Sequence, residues 1–435
     1  MANILVLYWN LTYPVRATLR DHLYSFGRYS HHRCFYLNLA VHGTPWYVKK
    51  TRWDLIIIHS ILLSARWTPG LFVRSERQLR FLKGSDAVKV ALPQDEFVRM
   101  NLMCEFINRL GIDHVFSVAT ESQWPAIYPT VDRRRVTFHK VLTGYIDDSL
   151  VSKIDRIVKS LPGKRPIDIG YRAYWPRAAF WWGRHGALKA KIGDVFKERA
   201  LQRGLIVDIS TRVEDTILGD DWFRFLLRCK YQIGVEGGAS VFDWDGTYRQ
   251  RTEEYTAQHP DATFEEVEKA CFPGADGKLE YFAITPRHFE CCVTRTCQVL
   301  VEGNYDGVLE PGKHYIELKR DFSNLEQVLD TIARDELREQ ITTRAWRDIV
   351  ESGKYTYQRF AEYVIDSSLA GSTPRAQSTW SATWLSLLHI WMRLGDRLSW
   401  LTVALGFTLW KRLLPSIPPS LQKRIRGWIL GETTT

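Results

Sequence analysis

A glycine-rich loop in the middle of the chain carries residue types that bind phosphate or sugar oxygens. Glu236, Gly237, Gly238 and Ser240 follow directly after the apolar run 231–235. Two adjacent glycines let backbone N–H groups approach a ligand closely, and the carboxylate and hydroxyl can bond to its polar groups. The alternative is an ordinary turn that needs glycine for its dihedral angles. We take Gly237, Gly238 and Ser240 as ligand-binding candidates and Glu236 as a catalytic candidate.

Two aspartates lie just beyond this loop, two residues apart. The carboxylates of Asp243 and Asp245 are hard ligands of the kind that a divalent cation prefers. So short a motif is common by chance, and a solvated turn ending at Gly246 explains it without a ligand. The sequence therefore predicts no metal ion and no other cofactor, and Asp243 is kept only as a ligand-binding candidate.

A third candidate site begins at Pro286, where the sequence predicts the start of a helix. Proline suits the first helical turn, and the unpaired N–H groups there, beside Arg287 and His288, would attract an anion. Glu290 follows and could bond to a ribose diol. The alternative is a capped helix in which Glu290 satisfies backbone donors.

Cations also follow the predicted strand 167–171. Arg172 comes directly after it, and Lys189 begins a predicted helix. Positive charge at the carboxyl end of a parallel strand suits a diphosphate. The alternative is a solvated charged surface.

Candidate acid–base groups in the first part of the chain also follow predicted strands. His59 ends the run 53–59, and Asp95 and Glu96 come shortly after the run 88–92. Each has the chemistry of a general base. The alternatives are a hydrogen-bonded histidine at a strand end and a pair of helix-capping carboxylates.

The elements that position these residues form an α/β pattern. Continuous apolar runs alternate with segments of helical length, which is typical of buried parallel strands in a doubly wound sheet. We predict two Rossmann-like domains, at 1–160 and 161–345, the second with an insertion at about 248–280. Ligands of such sheets lie beyond the carboxyl ends of the strands, where the candidates fall.

The carboxyl-terminal part differs in composition. A helix is predicted at 346–366, followed by a polar linker at 367–379. The tail 380–435 is rich in Trp and Leu, and its local net charge is positive. We predict an amphipathic helix on an anionic membrane surface. The alternative is a helical hairpin packed on the protein body or on a partner subunit.

Composition and charge narrow the functional classes. The chain has 435 residues, a net charge of +10 and seven cysteines without metal-site or redox spacing. No nucleic-acid motif accompanies the charge, so we expect no nucleic-acid partner. The first residues lack the features of a secretory signal, and we expect a cytoplasmic protein on the inner face of the membrane.

The segments 234–240, 286–290 and 297–316 resemble the C-terminal domain of GT-B glycosyltransferases, in particular the branch called family 1 or CgeB-like. The resemblance implies two Rossmann-like domains facing a central cleft, and a helix at 346–366 that crosses back to the first domain. It also implies that Glu290 holds the nucleotide ribose and that Arg172 with Lys189 neutralises the diphosphate. Retaining members carry a second Glu eight positions before the ribose residue. Here that position is Phe282, so Glu236 or Asp243 would take its place.

These observations give a hypothesis of function. The protein would be a hexosyltransferase that moves a sugar from a nucleotide-diphosphate donor to an envelope or lipid-linked glycan, without metal and with retention. The donor would lie in the second domain and the acceptor in the first. The alternatives are a nucleotide-sugar epimerase of the same fold and a non-catalytic scaffold docked on the membrane.

Overall fold

The computed structural model describes residues 1–161, 163–332, 334–371, 379–414, 417–418 and 422. The chain folds into two units. The first comprises 1–141 together with 361–435, and the second comprises 142–360.

The first unit is an α/β layer structure. Its strands are β1 (Asn3–Tyr8), β2 (Arg33–Asn38), β3 (Leu55–Ile58), β4 (Val88–Ala91), β5 (His114–Ser117) and β6 (Thr137–Lys140). Its helices before the boundary are α1 (Ala17–Arg28), α2 (Trp46–Lys50), α3 (Ser60–Leu63), α4 (Pro69–Gln78), α5 (Met100–Leu110) and α6 (Trp124–Ile127).

The six strands form a parallel sheet in the order β2-β1-β3-β4-β5-β6. Every residue of β1 and β3 is buried, because helices cover both faces of a doubly wound sheet. The predicted apolar strands are therefore confirmed.

The second unit repeats this plan. Its helices are α7 (Asp148–Val158), α8 (Arg184–Gln202), α9 (Asp220–Arg228), α10 (Thr247–Gln258), α11 (Phe264–Cys271), α12 (Pro286–Val293), α13 (Leu325–Ile332) and α14 (Asp335–Ala345). Helix α15 (Tyr357–Leu369) begins in the second unit and continues into the first. Its strands are β7 (Ile167–Arg172), β8 (Val207–Ser210), β9 (Cys229–Gly234), β10 (Gly237–Ala239), β11 (Tyr281–Ala283), β12 (Cys297–Val301) and β13 (Ile316–Leu318).

Five of these strands form a parallel sheet in the order β13-β12-β9-β7-β8. Strands β10 and β11 pair separately as an antiparallel ribbon. The predicted fold class, two doubly wound α/β units, is confirmed.

The boundary between the units differs from the prediction. We expected it near residue 160, but the second unit begins at Leu142 and includes α7. Ile154 and Ile157 of α7 lie in one apolar cluster with Phe223 and Leu227 of α9. The apolar face of α7 therefore assigns it to the second unit. The stretch 160–166, which contains Pro and Gly, lies between α7 and β7 of that unit.

The predicted insertion at about 248–280 holds most of α10 and all of α11. One helical prediction needs correction, because the expected helix 346–366 is interrupted. A π-helical segment at Trp346–Glu351 continues α14, and α15 begins only at Tyr357. The second unit ends at Phe360, within α15. The expected linker overlaps the end of α15, and its residues 372–378 lie outside the described part of the chain.

The tail contributes one long helix, α16 (Thr379–Leu413), to the first unit. One face of α16 is buried through Leu385, Leu388, Met392 and Val403. The basic residues at 423–426, which belong to the predicted membrane-binding tail, lie outside the described part of the chain. Among the helices that the structure describes, none combines the length and the apolar character needed to cross a membrane.

Candidate functional site

The second sheet has a topological switch point between β7 and β9. The chain leaves β7 toward β8 on one side, whereas β9 leads to β12 on the other. Connections that depart in opposite directions leave a crevice beyond the carboxyl ends of the two strands, where ligands of open α/β sheets bind. Glu236 follows β9 at this edge, and α8 follows β7.

Glu236 is held firmly at this edge. Its side chain is 2% exposed, and its Oε1 accepts a hydrogen bond of 2.7 Å from the backbone N–H of Tyr305. Gly303 leaves room for the carboxylate, because a Cβ there would stand 2.3 Å from Oε2. Burial raises the pKa of Glu236 despite the bond from Tyr305 and the charge of Arg320.

Two cations, Lys189 and Arg320, lie near His185, and Arg320 also lies near Glu236. Burial first, and then the charges of Lys189 and Arg320, lower the pKa of His185 to about 3. His185 is therefore neutral, and its Nε2–H donates to the carbonyl of Glu236 at 3.1 Å. Phe282 stacks on His185 at 3.9 Å between ring centroids, and the Arg320 guanidinium lies 5.8 Å from the Phe282 ring. Glu236, His185, Lys189 and Arg320 thus form one cluster, which we call the switch-point cluster.

Arg320 was not among the residues predicted from the sequence. It comes two residues after β13, which ends at Leu318. The position after a strand that drew attention to Glu236 and Arg172 would have selected Arg320 as well.

Two side chains of the predicted ribose and anion site at α12 form hydrogen bonds to other residues of the second unit. Trp222 Nε1 donates to Glu290 Oε2 at 2.7 Å, and Arg287 donates to the carbonyl of Arg172 at 2.5 Å. The Arg287 guanidinium also lies 5.0 Å from the Trp222 ring. Glu290 and Arg287 therefore lie together near the end of β7.

His288 has a structural role, so its assignment to ligand binding is corrected. Its ring is buried, and Nδ1 accepts a bond of 2.9 Å from the N–H of Thr285 in a capping arrangement. Burial and the charge of Arg287 lower the pKa of His288 to about 3, so the ring is neutral.

Arg172 also needs correction. Its guanidinium donates to Asp208 Oδ1 at 2.7 Å and to the carbonyls of Tyr171, Asp208 and Asp215. It also packs over the Phe225 ring at 4.5 Å. These bonds join the ends of β7 and β8, so its donors serve the fold rather than a diphosphate.

The two glycines of the loop are explained by strand pairing. Gly237 and Gly238 pair with Ala283 and Phe282 of β11. Gly238 has φ +117°, and a Cβ there would stand 1.7 Å from the carbonyl oxygen of Tyr281. The expectation that these glycines bind a ligand is thus replaced by a packing requirement.

Ser240 caps α8. Its Oγ accepts from the N–H of His185 at 3.1 Å and donates to Asp276 Oδ1 at 2.6 Å. Asp276 in turn accepts from the N–H of Arg184 at 3.0 Å. These side chains satisfy the start of α8, so Ser240 orients His185 and Lys189 indirectly.

Replacing Gly238 by alanine should lower the free energy of unfolding by about 3 kcal/mol, because it combines an unfavourable φ with a backbone collision. Gly277→Ala is the matched control, since Gly277 also has positive φ (+77°) but nothing lies within 4 Å of the position that a Cβ would take there. Urea unfolding of both variants tests this. Equal losses in the two variants would show that the close approach to Tyr281 is unimportant.

Asp243 caps α10 rather than binding a ligand. Its Oδ1 accepts from the N–H groups of Gly246 and Tyr248, and Oδ2 accepts from that of Arg249. Asp245 accepts from the N–H of Thr247. Within the described ranges, no three His, Cys, Asp or Glu side chains are grouped to hold a metal ion.

Two of the three candidates in the first unit are bonded inside it. His59 is fully buried; its Nδ1 accepts from the N–H of Ile61, and its ring bonds to His22 at 2.7 Å. Burial and the neighbouring His22 hold the pKa of His59 well below its ordinary value. Its predicted catalytic role is therefore corrected to a structural one.

Glu96 is similarly enclosed. Its carboxylate accepts from Ser117 Oγ, Tyr128 OH and the N–H of Val118, at 2.5 to 2.8 Å. It is fully buried at the end of β5, and burial raises its pKa. We correct this candidate too, because its oxygens hold β5 and α6 rather than face a substrate.

Asp95 is the exposed candidate of the three. It has φ +54°, in the left-handed region, on the loop after β4. The buried Arg66 holds this loop by donating to the carbonyls of Gln94, Asp95 and Val98. Asp95 is thus presented at the carboxyl edge of the first sheet.

Comparison with known proteins gives only distant similarities. No protein family and no curated protein matches the chain significantly in sequence. Among solved structures it is similar to Anabaena Alr3699/HepE in complex with UDP-glucose, with 12% identity, a TM-score of 0.44, and coverage of 84% of this chain and 100% of that one. It is also similar to the DNA-modifying enzyme β-glucosyltransferase (12%, 0.46, 85% and 99%) and to a glycosyltransferase from Rickettsia africae (9%, 0.42, 85% and 99%).

Proposed function

We propose that the protein is a nucleotide-sugar glycosyltransferase of the GT-B type whose donor binds at the switch-point cluster. The observation that carries this proposal is a buried carboxylate, Glu236, grouped with Lys189 and Arg320 beyond the carboxyl ends of β7 and β9. This arrangement offers both positive charge for a diphosphate and a carboxylate for sugar hydroxyl groups. The sequence resemblance at 234–240 and 286–290 supports the same donor class.

Lys189 and Arg320 would stabilise the leaving group. Cleavage of the bond between the sugar and the diphosphate builds negative charge on the leaving phosphate oxygen. Preorganised cations at a partly desolvated site stabilise such charge without rearranging during the reaction. We propose that these side chains do so without a divalent metal.

Glu236 and Glu290 would recognise two different parts of the donor, the transferred sugar and the ribose. Glu236 lies within the cluster, and we propose that it contacts the transferred sugar in a retaining transfer. Glu290, on α12, is the ribose contact that the resemblance implies, with its orientation fixed by the bond from Trp222.

The acceptor would contact the first unit. We propose that Asp95 binds a hydroxyl group of a glycan or lipid-linked acceptor in synthesis of an envelope polysaccharide. We also propose a location on the cytoplasmic side of the membrane, since the seven cysteines are free and buried, as in a reducing compartment.

Asp95→Asn should raise the acceptor KM about tenfold and leave the donor KM unchanged, because a charged acceptor of a hydrogen bond is lost. Asp113→Asn is the control, because Asp113 lies just before β5, at the amino end of that strand rather than at the carboxyl edge of the sheet. Initial rates at varied acceptor concentration test this. An unchanged acceptor KM would remove Asp95 from the site.

The function is tested by incubating the full chain with UDP-, GDP- and ADP-sugars in EDTA, with and without extracted membrane glycolipids. We expect one donor to release its nucleoside diphosphate and to label the glycolipid fraction. Conversion of the donor to an isomer without release of the diphosphate would instead identify an epimerase. No consumption of any donor would favour a scaffold.

A further inference from the structure

Helix α16 is fixed on the first unit by a buried polar network. Tyr8 and Tyr24 donate to the two carboxylate oxygens of Asp396 at 2.5 and 2.6 Å, and Asn38 donates to Ser399 at 3.0 Å. Trp400 Nε1 also donates to the Tyr24 hydroxyl. These bonds set the rotation of the helix about its axis, so the same residues always face outward.

The outward face of α16 is apolar along nearly its whole length. Ten large side chains on this helix are 47 to 63% exposed. They are Trp384, Leu387, Ile390, Trp391, Leu394, Leu398, Leu401, Leu405, Leu409 and Leu413. At 1.5 Å per residue they extend over about 44 Å, which exceeds the scattered apolar exposure normal for a protein surface. We call these ten residues the outer face.

The charges beside the outer face have one sign. The only acidic residue between 379 and 414 is Asp396, which is buried in the network with Tyr8 and Tyr24. Arg393, Arg397, Lys411 and Arg412 are exposed. At 100° per residue, Arg393 and Arg397 fall along one border of the outer face.

We infer that the outer face binds the surface of a membrane that contains anionic lipid. Leucine and tryptophan side chains with flanking cations match the apolar layer and negative headgroups of such a surface. A second copy of the chain would bring cations against cations, without the opposite charges that flank a paired helical seam. Charge complementarity therefore selects the lipid surface. This inference does not depend on the proposed donor chemistry, since lipid binding requires no nucleotide.

A cavity continues the outer face into the first unit. It has a volume of about 200 Å³ and shares Trp391, Leu394 and Leu398 with the outer face. Its other walls include Tyr36 and Tyr47. This opening offers room for part of an acyl chain beside the helix.

The inference is tested by flotation of the full chain with vesicles of phosphatidylcholine, either alone or with 30% phosphatidylglycerol. We expect flotation only with the anionic vesicles, weakened by 0.5 M NaCl. Leu394→Glu, Leu398→Glu and Leu401→Glu combined should reduce binding at least about tenfold, because they place charge in the apolar layer. The matched control combines Leu201→Glu, Val213→Glu and Leu218→Glu, which are similarly exposed on the second unit.

A second variant tests the charge. Arg393→Gln with Arg397→Gln should weaken binding to the anionic vesicles by about fivefold per residue, whereas Arg134→Gln with Arg212→Gln should not. All substituted residues are exposed, so melting temperatures should stay close to wild type.

Several results would overturn the inference. These are wild-type protein that does not float with anionic vesicles, equal flotation with neutral vesicles, or unchanged flotation of the triple glutamate variant. A concentration-dependent wild-type dimer that this variant abolishes, measured by sedimentation without lipid, would identify a second copy as the partner.

Discussion

Replacing Lys189 by alanine should lower kcat/KM for the nucleotide-sugar donor by about a hundredfold or more, the size typical of a lost group that stabilises transition-state charge. Lys189 lies near the buried His185, where solvent screening is weak, and it is one of two cations in the switch-point cluster. Arg320→Ala should have an effect of the same order. Initial rates of diphosphate release at varied donor concentration measure both.

The chain offers close controls for these two variants. Lys191 lies on the same helix as Lys189 but packs over Phe322, whereas Lys189 packs over Trp182 and lies near His185. Lys319 precedes Arg320 but pairs with Glu302 and Glu317. Lys191→Ala and Lys319→Ala should retain activity within about threefold. If they lose as much activity as Lys189→Ala and Arg320→Ala, the effect is one of general charge and the assignment is wrong.

Glu236→Gln should lower kcat by about a hundredfold while the affinity for nucleoside diphosphate changes little. Glutamine keeps an oxygen that can accept from the N–H of Tyr305, so the loop should hold its shape. The substitution removes only the negative charge that we propose Glu236 offers to the sugar. Glu302→Gln is the control, because Glu302 follows β12 nearby but is only half-buried and paired with Lys319, and glutamine keeps an oxygen for the bond from the Arg320 N–H. An unchanged kcat, or an equal loss in the control, would contradict a catalytic role for Glu236.

The pH dependence gives a second test of Glu236. Its pKa is raised, so protonation on acidification begins at a higher pH than for an ordinary glutamate. If the ionised form is required, kcat should fall as the pH is lowered through this raised pKa, and Glu236→Gln should remove that acid limb. If the Glu236→Gln variant keeps the acid limb of the wild-type kcat profile, a group other than Glu236 titrates there.

The fold was largely predictable because buried parallel strands leave a strong signal. Runs such as 4–8 and 55–58 are apolar without alternation, as strands covered on both faces must be. The unit boundary was less accessible. Whether α7 joins the first or second unit depends on contacts of Ile154 and Ile157 with residues far along the chain, which local composition does not encode.

The site was predictable only in part, for a related reason. Position after a strand selected Glu236, which remains a candidate, but the same rule selected Arg172, His59 and Glu96. These side chains have the right chemistry, yet they bond to groups inside the fold. The sequence alone does not distinguish a carboxylate that satisfies backbone donors from one that meets a substrate, because the partners of Glu96 and Glu236 lie far along the chain.

The tail illustrates both sides of this limit. Its Trp- and Leu-rich composition predicted an amphipathic helix, and α16 is a helix that buries one apolar face and exposes another. The anchoring bonds from Tyr8 and Tyr24 to Asp396 join residues more than 370 positions apart, so the face that packs on the first unit became clear only in the structure.

Calorimetric titration of the full chain with UDP, GDP and ADP in EDTA tests the central claim most directly. We predict that one nucleoside diphosphate binds to wild type and to Lys191→Ala with Lys319→Ala, and that Lys189→Ala with Arg320→Ala loses at least about a hundredfold in affinity. Equal affinity in both double variants, or no binding of any of the three to wild type, would contradict a diphosphate site at the switch-point cluster.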